Sequence, residues 1–223
     1  VLLLIIPLIS AGIGIKQEYA QGETLIAKIS GNFIDPILDS NVFFYRGHVK
    51  IPMDFYLEKI STNYYIKSSL IGKTKDNYSI KIENVHHYEG GVLTDSAIVA
   101  NFSITNKSAD FSIDPGFISS STGFSIDVQN IIDSPINLDL TLPDQIISEE
   151  SISLEAQETK TLSFKLGEIT ENLLDSIIIK SENTEYSIPI YISLQKGYCG
   201  NGKIDVGEAC DGNNWGSIDD CTD

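Results

Sequence analysis

Three cysteines and many oxygen-bearing side chains lie within the last twenty-five residues of this 223-residue chain. The cysteines are Cys199, Cys210 and Cys221, and no others occur. Calcium needs about six to eight oxygen ligands, which carboxylates and amides on a glycine-bent backbone can supply. We therefore predict a calcium-stabilised, disulfide-stapled loop. The predicted metal ligands are Asp205, Glu208, Asp211, Asn213 and Asp219.

The same loop could in principle be an EF-hand, a zinc site or a disulfide knot without metal. An EF-hand is excluded, because Trp215 and Thr222 stand where an oxygen ligand and the bidentate Glu belong. Zinc is disfavoured, because the cysteines stand eleven residues apart rather than in close pairs. The remaining alternative is a disulfide knot whose acidic residues only face water and make turns.

An odd number of cysteines leaves one without a partner inside the chain. We expect Cys199 to pair with Cys210, and Cys221 to pair with a fourth cysteine beyond Asp223. The run from Cys199-Gly-Asn-Gly to Gly-Glu-Ala-Cys-Asp211 resembles the cysteine-rich repeat of exported prokaryotic surface proteins. That resemblance covers about a tenth of the chain and implies an extracellular or cell-surface location.

The first fifteen residues carry no charge and end in small residues before Lys16. They are typical of a secretory signal peptide with a cleavage site at Ser10-Ala-Gly12, and a preceding basic region is expected. A membrane anchor is one alternative, because a missing piece could lengthen the segment toward the roughly 30 Å of a bilayer core. A buried first strand is another.

Between these two ends, apolar residues recur with a period of two, which indicates half-buried strands. Ile126 and Val128 alternate with Ser125 and Asp127, and the same alternation runs through residues 186–194. Strands with one apolar and one polar face close on each other as two sheets. The predicted fold is all-β, with two consecutive immunoglobulin-like β-sandwich domains and the small disulfide-stapled C-terminal loop module. Only residues 168–175 suggest a short helix. Pro189 lacks a backbone donor, so we expect the last strand to lie at a sheet edge.

Two local sequences carry resemblances to known sandwich modules. The second region contains Phe124-Ser-Ile-Asp-Val-Gln-Asn130 and Leu154-Glu-Ala-Gln-Glu-Thr-Lys-Thr-Leu-Ser-Phe164, and it resembles the immunoglobulin-like repeats of bacterial and archaeal envelope proteins. The first region resembles macroglobulin-type sandwich modules through Gly22-Glu-Thr-Leu-Ile26 and Asn77-Tyr-Ser-Ile-Lys-Ile82. These likenesses imply a spacer or adhesive role and no particular site.

Charge is distributed unevenly along the chain, whose net charge is −16. Residues 16–107 contain ten Lys or Arg and ten Asp or Glu, whereas residues 108–195 contain three and fifteen. We therefore predict a signal peptide or anchor at 1–15, sandwich domains at 16–107 and 108–195, and the cysteine-rich module at 196–223. The charge changes at the polar stretch 105–110, where we expect an accessible linker between the two domains. The acidic balance opposes nucleic acid as a partner, because polyanions are bound by clustered Lys and Arg. Membrane contact would come only through an uncleaved N-terminal segment.

No nucleophile, phosphate-binding or zinc-protease motif occurs in the sequence, so we predict no catalytic residues. Asn77, Asn101 and Asn106 stand in glycosylation sequons, which suit an exported protein. The aromatic cluster Phe43-Phe-Tyr45 could stack on carbohydrate, although core packing is the ordinary role of such residues.

The predicted function is a non-catalytic exported surface protein with a spacer, display or adhesion role. A cell-surface protein or a glycan is the expected partner, and calcium is the only expected cofactor. One alternative is the accessory N-terminal region of a longer secreted hydrolase. Another is a carbohydrate-binding module formed by the first domain.

Overall fold

A computed structural model describes residues 11–148 and 151–194. Apart from a single 3-10 turn at Asp39–Asn41, the regular elements in these ranges are strands. The N-terminal strands are β1 (Gly12–Ile15), β2 (Glu18–Gln21), β3 (Thr24–Ser30), β4 (Asn32–Phe33), β5 (Val42–Arg46), β6 (Val49–Ile51), β7 (Phe55–Ile60), β8 (Asn63–Ser69), β9 (Asp76–Ile82), β10 (His87–Glu89), β11 (Val92–Thr94) and β12 (Ile98–Ser108). The C-terminal strands are β13 (Phe111–Asp114), β14 (Ile118–Ser120), β15 (Phe124–Asn130), β16 (Ile136–Thr141), β17 (Ile146–Ile147), β18 (Ser151–Leu154), β19 (Thr159–Leu166), β20 (Leu173–Lys180) and β21 (Glu185–Ile192).

The N-terminal strands form a sandwich of a four-stranded sheet, β1-β3-β8-β7, and a five-stranded sheet, β2-β12-β9-β5-β6. Strand β2 runs parallel to β12, and the other pairs of these two sheets are antiparallel. This is the A-B-E-D and A′-G-F-C-C′ order of an immunoglobulin-type sandwich. Alternation places every second side chain between the sheets, where the largest fully buried ones are Leu25, Ile29, Ile66, Leu70, Ile80, Ile82 and Ile104.

The C-terminal strands repeat this arrangement, with sheets β13-β15-β19-β17 and β14-β21-β20-β16-β18. Strand β14 runs parallel to β21, as β2 does to β12. One detail differs, because the edge strand β17 of the four-stranded sheet precedes the edge strand β18 of the other sheet along the chain. The core contains Phe111, Ile126, Leu138, Leu154 and Phe164. The predicted all-β fold with two consecutive immunoglobulin-like sandwiches is thus confirmed.

The short helix expected within residues 168–175 is wrong. Strand β20 begins at Leu173 and pairs antiparallel with β21 over eight residues, from Leu173 opposite Ile192 to Lys180 opposite Glu185. Pairing with a neighbouring strand overrides the weak local preference for a helix turn. Pro189 favours an edge position for β21, but this strand has neighbours on both sides, β20 and β14. Pro189 lies immediately before the segment that pairs with β14.

The last four residues of the apolar N-terminal segment form β1, which pairs with β3. Ile13 and Ile15 are partly buried against the N-terminal core, so this part of the segment behaves as a first strand. Residues 1–10 lie outside the described part of the chain. Within residues 11–148 and 151–194, no helix is long and apolar enough to cross a membrane.

The chain passes from the first pair of sheets to the second through Ala109 and Asp110, which are 0% and 5% exposed. The amide of Ala109 donates to the Gln21 carbonyl at 2.9 Å. The Asp110 carboxylate accepts a 2.6 Å hydrogen bond from the Ser181 hydroxyl and a 3.0 Å bond from the Asn183 amide. We expected an accessible linker at residues 105–110, but β12 continues through Ser108 and the next two residues are buried.

Side chains of the two sandwiches meet around Thr24. Its amide donates to the Tyr186 hydroxyl at 2.8 Å, and that hydroxyl donates to the Phe111 carbonyl at 3.1 Å. The Thr24 hydroxyl donates to the Ile113 carbonyl at 2.9 Å and accepts from the Ile113 amide at 3.1 Å. Burial raises the pKa of the Tyr186 phenol well above its ordinary value, so the hydroxyl stays neutral as this bridge requires.

A second set of contacts lies on the outer side of β7 and β8. Phe117 packs against Tyr56 and Tyr65, with ring centroids 5.7 and 5.8 Å away. The ammonium of Lys67 lies 2.8 Å from the carboxylate of Asp114. The junction therefore combines buried hydrogen bonds, aromatic packing and one ion pair.

Candidate functional site

The predicted loop at the C-terminal end lies outside the described residues. This applies to its five metal ligands and to all three cysteines, so both the calcium site and the disulfides stay predictions. Within residues 11–148 and 151–194, no group of three or more His, Cys, Asp or Glu side chains is placed to hold a metal ion.

Two of the three histidines are neighbours on the loop that leads into β10, and they point to opposite sides. The His86 ring lies 2.5 Å from the Asp35 carboxylate, and this hydrogen bond lowers the pKa of Asp35. His87 is buried and packs near the Phe33 ring, 6.0 Å between centroids. The histidines thus close the loops at one end of the sandwich and share no ligand position.

The aromatic cluster of β5 divides between the core and the surface. Phe44 is 2% exposed and lies in the core, whereas Phe43 and Tyr45 are half-buried on the outer face of the five-stranded sheet. Each outer ring has a lysine over it: the Lys50 ammonium is 3.5 Å from the Phe43 centroid, and the Lys81 ammonium is 4.5 Å from that of Tyr45. Core packing therefore accounts for Phe44 but not for Phe43 or Tyr45.

A polar groove lies beside these rings. Strands β9 and β12 pair so that Asn77 stands opposite Ser103 and Ser79 stands opposite Asn101. These four residues form a square in which each serine has an asparagine on either side. Because the serine side chains are shorter than the neighbouring asparagines, they leave a depression in the surface. The depression has a volume of about 360 Å³ and also takes in Gln17 and Gly47. We call it the Asn/Ser groove.

The hydrogen-bonding groups of this groove are mostly unused. Ser79 is only 7% exposed, yet its hydroxyl has no hydrogen bond to any side chain or carbonyl of the described residues. The side-chain amides of Asn77 and Asn101 have none either within those residues, and the Ser103 hydroxyl makes a long 3.4 Å bond to the Gln17 carbonyl. Buried polar groups are usually satisfied by protein groups or by water, so this hydroxyl is free to hydrogen-bond to water or to a polar group that enters the groove.

Two predicted glycosylation sites coincide with the groove. Asn77 and Asn101 are exposed, but both lie within strands and face the same side of the sheet. Asn106 is exposed near the end of β12, in the irregular stretch between Ile104 and Ser108, which both pair with β2. Sequence reasoning identified these asparagines as sequons but missed the groove, because the square exists only through the register of β9 against β12.

The electrostatics of this outer face differ from those of the chain as a whole. Neither Lys50 nor Lys81 has a carboxylate within 4 Å among the residues that the structure describes. By strand alternation, the acids of this face are Glu18, on the edge strand opposite Ser103, and Glu83, just past the end of β9. Lys50 lies on the edge strand β6 and Lys81 on the central strand β9. With two lysines and two acids, this face lacks the acidic excess of the chain as a whole.

A second surface lies at the loop end of the same sandwich, where β11, β10 and β4 form a small sheet. Tyr88 stands opposite Leu93 and also opposite Asn32, so these side chains share one face. Ile34, Leu93 and Val92 are 53%, 51% and 68% exposed. The surface is apolar, but nothing in the structure indicates what covers it.

No protein-family model matches the chain, and no curated protein matches it. Several solved structures share its general architecture. They include the titin domains Z1Z2 in complex with telethonin (11% identity, 84% of this chain, all of that chain, TM-score 0.27) and the tandem immunoglobulin repeats of Dlar (11%, 83%, all of that chain, 0.30). Dimeric latent PorU from Porphyromonas gingivalis matches over 84% of this chain and 20% of its own, at 9% identity and a TM-score of 0.42. Such low TM-scores carry no argument about function.

Proposed function

We propose that this protein is a non-catalytic exported surface protein that acts as a stiff spacer and adhesion unit. The observation that carries the proposal is the junction between the two sandwiches. Independent domains on a flexible tether join through exposed polar residues, whereas here the connecting residues are buried and hydrogen-bonded. A stiff pair of sandwiches holds whatever lies at one end at a fixed distance from the other.

The signal-like N-terminal segment, the cysteine-rich resemblance and the sequons all support export to the cell surface. The domain boundary at residues 107–108 also belongs to this proposal, with one modification. The division separates two cores, but the contacts of Thr24, Tyr186 and Phe117 join them into one mechanical unit.

Rigidity is the property to measure first. Small-angle scattering and amide relaxation of the full chain should give one overall tumbling time for residues 11–194. A double variant, Tyr186→Phe with Phe117→Ala, should let the sandwiches move independently while each keeps its own strand signals. Independent tumbling in the unmodified protein would show that the junction is flexible, and the stiff-spacer proposal would fail.

The non-catalytic part of the proposal has its own test. The full chain is incubated with polysaccharides, peptides and esters, and product formation is followed. We expect no turnover. Turnover that disappears when one carboxylate is replaced would instead favour the accessory region of a secreted hydrolase, with a site that belongs to this chain.

We also propose that calcium stabilises the C-terminal loop through Asp205, Glu208, Asp211, Asn213 and Asp219. The support is chemical, since these side chains offer the oxygens that hard cations take. Calorimetry of the full oxidised chain with calcium should give a saturable heat that Asp205→Asn with Asp211→Asn removes. Peptide mapping of the same sample should show Cys199 joined to Cys210. No heat at millimolar calcium leaves the disulfide knot as the better account.

A further inference from the structure

The Asn/Ser groove and the lysine-covered rings beside it form one continuous surface. We propose that this surface binds an acidic polysaccharide, one whose sugars carry carboxylate groups. The inference deepens the proposed adhesion function, on which it rests, by naming the class of partner. The carbohydrate-binding alternative drawn from the sequence thereby gains a location.

The register of four strands, β6, β5, β9 and β12, places the parts in three rows. In one row, Lys50, Tyr45, Ser79 and Asn101 follow each other across the sheet; in the next, Asn77 stands opposite Ser103. Phe43 stands opposite Lys81 on the same outer face. Aromatic rings, amides and lysines therefore lie within a few strand spacings, about 5 Å each.

The neutral part of the surface suits a sugar chain. Sugars present hydroxyl groups, which both donate and accept hydrogen bonds. The amides of Asn77 and Asn101 offer donors and acceptors, and the nearly buried Ser79 hydroxyl lacks a partner among the described residues. A peptide strand is a weaker fit, because β9 already has strand partners on both sides and offers no free backbone edge.

Lys50 and Lys81 favour a negatively charged ligand over a neutral one. Both ammonium groups rest over aromatic rings instead of forming ion pairs, in a chain whose net charge is −16. A neutral sugar that stacked on either ring would displace an ammonium and lose its cation–π contact with that ring. A sugar carboxylate instead keeps the ammonium in place and pairs with it, so an acidic glycan satisfies the amides and the lysines together.

The experiment is a titration of the full chain, produced without N-glycosylation, with an oligogalacturonate. Calorimetry gives the dissociation constant, and amide chemical-shift changes locate the site. We expect shifts in β5, β9 and β12 and weaker binding at high salt. Lys50→Gln with Lys81→Gln should weaken binding about tenfold, since an exposed ion pair contributes up to about 1 kcal/mol and two such pairs are lost.

Lys59 provides a matched control. It also lies over an aromatic ring, that of Tyr64, at 5.5 Å, but it belongs to the four-stranded sheet. Lys59→Gln should bind the oligogalacturonate as the unmodified protein does. Asn101→Ala should weaken binding while leaving the thermal midpoint unchanged, because the Asn101 side chain has no hydrogen bond to the described residues.

Four outcomes would overturn the proposal. Equal binding of the Lys50/Lys81 and Lys59 variants would place the site elsewhere. Equal binding of poly-glutamate would show a preference for any polyanion, and equal binding of a neutral oligogalactan would show that the lysines select nothing. Absence of binding to the oligogalacturonate also overturns it. Rigidity and absence of turnover are measured separately, so the spacer proposal can stand when this one falls.

Discussion

The two sandwiches share a strand order but differ in what surrounds it. The N-terminal sandwich adds a small three-stranded sheet between its loops and carries aromatic rings, lysines and a polar groove on its outer face. Among the described residues, the C-terminal sandwich has no such small sheet. Its groove is lined by Ile147, Ile152 and Leu162 beside Lys160 and Lys165, and its other outward positions hold residues such as Ser125, Asp127 and Asp139. Charge follows the same division, with balanced charge in residues 16–107 and three bases against fifteen acids in residues 108–195.

This difference shows that the residues required for the core and the residues of the outer surface can vary independently. An immunoglobulin-type sandwich needs apolar residues at alternate positions facing inward, and both halves meet that demand. The outward positions are left free, and those of the N-terminal half carry the Asn/Ser groove and the lysine-covered rings. Function is therefore argued from the surface residues and not from the shared fold.

The largest expected effect tests whether the cores of the two sandwiches contribute similarly to the free energy of unfolding. Phe44 and Phe164 are each 2% exposed, one in each core. Phe44→Ala and Phe164→Ala should each lower the free energy of unfolding by about 3–5 kcal/mol, the usual cost of an aromatic cavity. Urea denaturation measures the loss. A loss below about 1 kcal/mol in either variant would mean that its core does not hold that sandwich together.

The next effect concerns the bridge between the halves. Tyr186→Phe removes a hydroxyl that accepts from the Thr24 amide and donates to the Phe111 carbonyl, leaving both without that partner. We expect a loss of about 1–3 kcal/mol, the usual cost of an unsatisfied buried group. Tyr88→Phe, on the exposed loop sheet, is the control and should change stability little. Equal stability of the two variants would show that the bridge contributes nothing.

Alkaline pH should weaken the junction through the same residue. Burial raises the pKa of Tyr186 above its ordinary value near 10, so stability is complete below pH 10 and declines as pH rises toward the folded-state pKa. Tyr19 in the N-terminal half behaves likewise. Each buried tyrosine contributes a slope of about 1.4 kcal/mol per pH unit. Urea midpoints from pH 9 to 12 should fall less steeply for Tyr186→Phe; identical slopes would contradict this assignment.

The smallest effect is expected at the ion pair across the junction. Asp114 is 66% exposed beside the less exposed Lys67, so solvent screens their attraction. Lys67→Gln should cost less than about 1 kcal/mol, and the cost should shrink further in high salt. Thermal melts at low and high salt measure both. A loss larger than that of Tyr186→Phe would mean that charge, and not the buried bridge, fixes the halves together.

Sequence patterns identified most strands because alternation is a local property. The apolar positions of residues 124–128 and 186–194 correspond to β15 and β21, and the predicted sandwich follows from them. The short helix near residue 170 and the edge position of Pro189 were wrong, because the neighbouring strand decides both features. The linker at residues 105–110 is accessible only in part, because residues 106–108 are exposed whereas Ala109 and Asp110 are buried. Side chains of Ser181 and Thr184 hydrogen-bond to Asp110 and cover this end of the linker.

The amino-acid sequence by itself determined the period of two, the step in charge and the identities of Asn77, Ser79, Asn101 and Ser103. Those properties depend on residue type and on spacing along the chain. Only the tertiary structure decided that these four residues form a square, that Phe43 and Tyr45 face outward while Phe44 faces the core, and that Tyr186 reaches Thr24. The physical reason is that strand register brings together residues distant in the chain, and packing of two sheets selects which face of each strand is buried.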